Sequence, residues 1–108
     1  MIVLDIETSG VNPEENGIWQ IGAFEIENPN NYFLEEGRID EDDEIGEGSL
    51  KVTGKSKEYF LNKNKQSQKD LLIKFFEWFK NAKIKNANVN IHIASTTTIN
   101  KIKIKIKK

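Results

Sequence analysis

Met1-Ile2-Val3-Leu4-Asp5-Ile6-Glu7-Thr8-Ser9-Gly10 opens the chain, and its reading decides the rest. The apolar run Ile2-Val3-Leu4 predicts a buried strand over residues 2–7 that ends in two carboxylates separated by one residue. Side chains alternate faces along a strand, so Asp5 and Glu7 point the same way, roughly 6–7 Å apart. A buried strand does not tolerate idle carboxylates, so the pair reads as functional rather than as solvated charge. Two carboxylates so placed suit a divalent cation of the magnesium type, which takes oxygen ligands and phosphate partners. Thr8, Ser9 and Gly10 then turn the chain and set small hydroxyls and a permissive backbone beside the pair.

Outward from this strand the pattern is simple. Asn12-Pro13-Glu14-Glu15-Asn16-Gly17 is dense in turn formers. Residues 18–27 predict a second strand, Asn28-Pro29-Asn30-Asn31 a turn, and residues 32–36 a short third strand. Loops this short make the three strands antiparallel neighbours. Residues 40–47, Asp-Glu-Asp-Asp-Glu-Ile-Gly-Glu, lack regular ligand spacing and an apolar frame, and read as a solvated loop rather than a metal cluster. A helix is expected over residues 67–82, capped by Ser67 with Asp70 three positions on. Leu71, Leu72, Phe75, Phe76, Trp78, Phe79 and Ala82 fall within an arc of about 160°, a broad core-facing stripe that excludes Ile73.

Ile2 to Gly10 resembles the first motif of the 3′–5′ exonucleases of the DEDD superfamily, which include the proofreading epsilon subunit of DNA polymerase III, ribonuclease T and oligoribonuclease. Ile18-Trp19-Gln20-Ile21-Gly22-Ala23 is similar to the family's second strand. Val52-Thr53-Gly54-Lys55-Ser56 is similar to its short glycine turn before the first long helix. These matches cover roughly residues 1–80. The resemblance implies an α/β, ribonuclease-H-like fold, here incomplete: a three-stranded antiparallel sheet plus helix, with later elements missing or replaced. It also implies two-metal-ion phosphodiester hydrolysis. Asp5 and Glu7 would be catalytic metal ligands for Mg2+ (or Mn2+), and Thr8, Ser9 and Gly10 would bind substrate. The implied partners are a single-stranded DNA or RNA 3′ end and a DNA polymerase subunit.

The family also needs two more aspartates, from an Asn-x-x-Phe-Asp motif and from a third motif in which His or Tyr precedes Asp. No Asp follows Asp70 here, and no acidic side chain follows Glu77. Where the second motif belongs, the chain reads Asn86-Ala87-Asn88-Val89-Asn90. The sole histidine, His92, is followed five positions later by Thr97. Two metal ions about 3.5–4 Å apart need dense negative charge to offset their repulsion, and Asp5 with Glu7 gives half of it. The general base is unfilled unless His92 serves, and an isolated histidine is more often structural.

With 108 residues this is one small domain, near the lower end for a self-sufficient core. Cysteine is absent, which removes disulfides and thiolate metal sites from consideration. The N-terminus has no basic stretch and its apolar run is too short for a signal peptide; no segment is long enough to cross a membrane. A cytoplasmic protein without membrane contact is the expectation. Net charge is −1, but residues 1–50 hold one basic and fourteen acidic side chains, and residues 51–108 hold fifteen basic and three acidic. Such asymmetry points to a polyanion partner for the basic half, with Lys51, Lys55, Lys57, Lys63, Lys65 and Lys69 around the glycine turn as candidate phosphate contacts.

Composition shifts at residue 83. Residues 1–82 read as the N-terminal part of an exonuclease domain and 83–108 as a low-complexity Lys/Ile/Asn tail. Twenty-one of the last twenty-six positions are Lys, Ile, Asn or Thr, and from Ile102 apolar and basic residues alternate. The tail reads as a lysine-guarded edge strand, as a basic amphipathic segment, or as the product of a frameshift in an AT-rich gene. Two functions follow: a metal-dependent exonuclease, truncated and impaired, or a non-catalytic remnant that binds nucleic acid through its lysines.

Overall fold

The structure, a computed structural model, describes residues 1–85 and 91–93. Three strands come first: β1 (Ile2–Thr8), β2 (Ile18–Glu25) and β3 (Tyr32–Glu36). Helices α1 (Glu47–Thr53), α2 (Lys57–Phe60) and α3 (Gln68–Lys85) follow, and then a short strand β4 (Ile91–Ile93). The sheet order is β3-β2-β1-β4. β2 runs antiparallel to both β1 and β3, as the short loops require. β4 adds to these three strands in parallel with β1, setting Ile2 beside Ile91 and Leu4 beside Ile93. A parallel neighbour needs a crossover, and α3 lies within that connection.

Alternation along β1 sets the two faces of the sheet. Ile2, Leu4 and Ile6 are buried, whereas Asp5 and Glu7 are exposed. The inner face joins Ile18, Ile21, Ala23 and Phe33 to Leu71, Leu72, Phe75 and Ala82 of α3, with Trp78 and Phe79 packed against them. Phe75 is the centre of an aromatic group, with ring centroids 5.7 Å from Phe33 and 6.2 Å from both Trp78 and Phe79. Trp78 Nε1 donates to Asn31 Oδ1 at 3.0 Å, tying the helix to the β2–β3 turn. Ser67 caps α3 as expected, its hydroxyl accepting from the Asp70 N–H at 3.1 Å. Ile73 is exposed as the helical arc requires. Phe76, placed at the margin of that arc, is 38% exposed and contributes an edge to the core rather than a buried ring.

A register shift between Glu7 and Thr8 accounts for two neighbouring buried residues in β2. Glu7 pairs with Gln20 but Thr8 pairs with Ile18, so Trp19 is the extra residue of a bulge. Ile18 therefore enters the main core, and Trp19 turns into a second cluster with Ile39 and Phe60. Tyr59, Leu50 and Ile45 pack around that cluster.

The acidic run differs from the expected solvated loop. Asp43 is buried, and its Oδ2 accepts from the Asp40 N–H at 2.9 Å and from Gln68 Nε2 at 3.1 Å. Gln68 Oε1 in turn accepts the Ile18 N–H at 2.6 Å. The loop is thus bolted to the start of both α3 and β2, which offsets the repulsion among its carboxylates. The glycine turn lies between two short helices, ahead of the long helix α3. Gly54 ends α1 at φ 68°, and its N–H donates to the Leu50 carbonyl. That left-handed conformation is where glycine avoids a Cβ clash.

The expectations for the tail after residue 83 fall mostly outside the described residues. Within them, α3 continues through Lys85 and the main chain of 91–93 pairs with β1.

Candidate active site

Asp5 and Glu7 emerge on the outer face of β1, opposite the face covered by α3. β1 lies between β2 and β4; β2 pairs with it along both carboxylates, and β4 pairs with Ile2 to Leu4, just before them. Asp5 stands across from Gly22, and Glu7 across from Gln20. The missing side chain at position 22 leaves a shallow depression of about 300 Å³ beside Asp5, walled by Val3, Phe24, Tyr32 and Leu34. This face is apolar apart from its acidic end, with Tyr32 64% and Leu34 60% exposed. The structure therefore brings Asp5 and Glu7 together as the alternation predicts, on a surface open to an incoming molecule.

The following three residues divide in their roles. Thr8 is half-buried, and its Oγ1 donates to the Gly10 carbonyl at 2.7 Å, which closes the turn after the carboxylates. Gly10 allows a close approach by Asn16: a Cβ there would meet the Asn16 side chain at 2.4 Å. Ser9 lies behind the turn. It is fully buried, donates to the Glu44 carbonyl at 2.7 Å and accepts the Gly17 N–H at 2.9 Å. Its main chain pairs with Gly17 and Gly46 as well. With its hydroxyl engaged on both sides, Ser9 fixes three segments behind the carboxylates.

Register reveals a row that the sequence reading missed. Glu7 pairs with Gln20, and Gln20 pairs with Glu36, so these three side chains cross the end of the outer face. At its far end Glu36 Oε2 accepts from the Tyr59 hydroxyl at 2.6 Å and lies 3.4 Å from Lys65 Nζ. The hydrogen bond to Glu36, with burial and the nearby negative charge, pushes the Tyr59 hydroxyl up to about 12. Counting pairs from the two strand ends would have suggested the Glu7–Gln20–Glu36 row. No sequence pattern marked Tyr59.

Carboxylates outside β1 do not complete a four-acid centre among the described residues. The three acidic groups whose oxygens converge within 4.8 Å are Asp40, Asp42 and Asp43, on the loop bolted to α3. Asp43 spends its Oδ2 on Asp40 and Gln68, which gives that group a structural task. His92 is in register with Val3, on the strand beside β1.

Three antiparallel strands, a parallel neighbour to the central strand, a long helix on the inner face and paired carboxylates on the outer one define an α/β domain consistent with an incomplete ribonuclease-H-like exonuclease fold. The family model RNase_T, described as exonuclease, matches residues 2–107. The chain belongs to this exonuclease family, and nuclease-type function on nucleic acid with divalent-metal dependence is the property of that family. The match continues well past residue 80, beyond the motifs that carry the resemblance. No curated protein matches the chain. Among the described residues, no helix is long and apolar enough to cross a membrane.

Proposed function

We propose that this chain is a metal-dependent nucleic-acid hydrolase of the 3′–5′ exonuclease type, slowed by the loss of half its carboxylates. The observation that carries the reading is the placement of Asp5 and Glu7 on one open face of the strand between β2 and β4. Their oxygen donors fit one ion of the Mg2+ or Mn2+ kind, with substrate phosphate and water as further ligands. Such an ion, when bound, polarises a phosphoryl oxygen and acidifies a coordinated water. The other described carboxylates are committed elsewhere: Glu36 lies two strands away from Glu7 and is bound to Tyr59, and Asp43 of the Asp40–Asp42–Asp43 group is held by the Asp40 N–H and Gln68.

Each neighbouring residue has a distinct part in this reading. Thr8 borders the terminal nucleotide of a single strand. Gly10 keeps the turn low enough for that strand to pass. Ser9 holds the turn from behind through Glu44 and Gly17. A DNA polymerase partner rests on the resemblance to the exonuclease family, and a cytoplasmic setting on the character of the N-terminal residues and the shortness of the apolar segments.

The test is incubation of the purified chain with 5′-labelled single-stranded DNA and RNA in Mg2+ or Mn2+. Slow shortening from the 3′ end, stopped by chelator and abolished in Asp5→Asn, is the expected result. A second reading, a non-catalytic nucleic-acid-binding remnant, is favoured by one observation: the chain has no acidic side chain after Glu77. Strand binding without shortening, unchanged by chelator and by Asp5→Asn, would replace the first reading by the second.

A further inference from the structure

A strongly acidic first half is a poor surface for a polyanion unless cations stand close to the site. The Glu7–Gln20–Glu36 row leads to such cations. Two interstrand steps of about 4.8 Å separate its ends, so its far end lies roughly 10 Å from Glu7. There the Tyr59 ring packs edge-on against Trp19, at 5.9 Å, and Phe60, at 5.8 Å. Its hydroxyl is tied to Glu36. The ring is therefore fixed at both its edge and its tip.

Two ammonium groups lie over this ring: Lys65 Nζ at 3.2 Å from the centroid and Lys55 Nζ at 4.6 Å. Their situations differ. The Lys65 side chain is 16% exposed and its charge is offset by Glu36, so it belongs to the scaffold. Lys55 is exposed, directly follows the left-handed Gly54, and takes part in none of the ion pairs among the described residues. An aromatic face steadies an ammonium through its quadrupole without neutralising it. Lys55 thus keeps a full positive charge and its donors while losing part of the freedom of a four-carbon stem. The hydroxyl of Tyr59 stays protonated far above neutral pH, so the seat adds no negative charge of its own.

We propose that Lys55, seated on Tyr59, binds a backbone phosphate of a single strand, upstream of the phosphate held at Asp5 and Glu7. The inference rests on the nuclease reading for the position of the strand's end. The separation along the row assigns Lys55 to a different phosphate from the one beside the carboxylates. In that role Lys55 is a positioning residue: it sets the direction in which the strand leaves the site and offsets the field of the acidic half.

Fluorescence anisotropy with a short labelled oligothymidine tests this, in chelator and over a series of KCl concentrations. Lys55→Gln is expected to weaken binding several-fold and to reduce the slope of log affinity against log salt by about 0.7, the value for one phosphate contact on a single strand. Lys55→Arg should restore most of the affinity, and Tyr59→Phe, which keeps the ring, should retain it. Lys80→Gln, on the helix that covers the opposite sheet face, should leave the slope unchanged. Equal slopes for the wild type and Lys55→Gln, an equal loss in Lys80→Gln, or no binding by the wild type would each overturn the proposal. Lys55-dependent binding without metal-dependent shortening would sink the nuclease reading while leaving the phosphate contact. Shortening indifferent to Lys55→Gln would do the reverse.

Discussion

Asp5 faces Gly22 across the β1–β2 ladder, and the absence of a side chain at position 22 opens the outer sheet face beside the carboxylate. The glycine is not demanded by the backbone, since Gly54 is the one described residue with positive φ. A Cβ at position 22 would meet Leu34 Cδ1 at 3.5 Å, an ordinary contact. Gly22→Ala is therefore expected to stabilise the fold by about 0.5–1 kcal/mol, through the lower chain entropy of alanine. Urea unfolding measures this, and a clear destabilisation would mean that the strand is tighter at this point than the structure has it.

Ser9→Ala removes a buried hydroxyl that joins Glu44 to Gly17. The Gly17 N–H loses its acceptor in a place without free access to water. A loss of about 1–3 kcal/mol is expected in the same unfolding experiment. A change below about 0.5 kcal/mol, the range of ordinary surface substitutions, would contradict the structural bridge from Glu44 to Gly17.

Phe75→Ala empties the centre of the aromatic group between α3 and the sheet. The ring is 3% exposed and contacts Phe33, Trp78 and Phe79. Truncation should cost about 3–5 kcal/mol, enough to unfold a marginal small domain, whereas Phe76→Ala should cost less because that ring is partly in water. Circular dichroism during thermal melting compares the two.

Tyr59 gives the fold a dependence on high pH. Its hydroxyl is raised from 10.0 to about 12, so the folded state favours the protonated form. The associated stability is fully present below pH 10 and is lost as pH rises through about 12. Phenolate absorbance should show a component titrating near pH 12 that disappears in Tyr59→Phe. Stability of that variant should change less than the wild type between pH 10 and 12. A wild-type titration without a component near pH 12 would contradict the Tyr59–Glu36 bond.

Local signals in the sequence made much of this legible. Alternation in Ile2–Glu7 assigned Asp5 and Glu7 to one face, turn residues at 12–17 and 28–31 delimited β2 and β3, and the apolar arc from Leu71 to Ala82 gave the inner face of α3. What escaped depends on contacts between distant segments. Ser9 looked available because its sequence neighbours are small and polar, but Glu44, thirty-five positions away, claims its hydroxyl. Asp43 looked solvated among its acidic neighbours, yet Gln68 gives it a buried partner. The bulge that separates Ile18 from Trp19 is announced only by Gly17, which reads as the end of the preceding turn. Lys55 and Lys65 appear alike in sequence, and only the Tyr59 ring and Glu36 distinguish the exposed cation from the neutralised one.

Titrating Mn2+ into the 15N-labelled chain and mapping paramagnetic broadening by NMR distinguishes the two acidic places in the fold. The prediction is broadening centred on Asp5, Glu7, Gln20 and Gly22 that vanishes in Asp5→Asn. Broadening confined to Asp40, Asp42 and Asp43, or none at all, would contradict a metal-binding role for the carboxylates of β1.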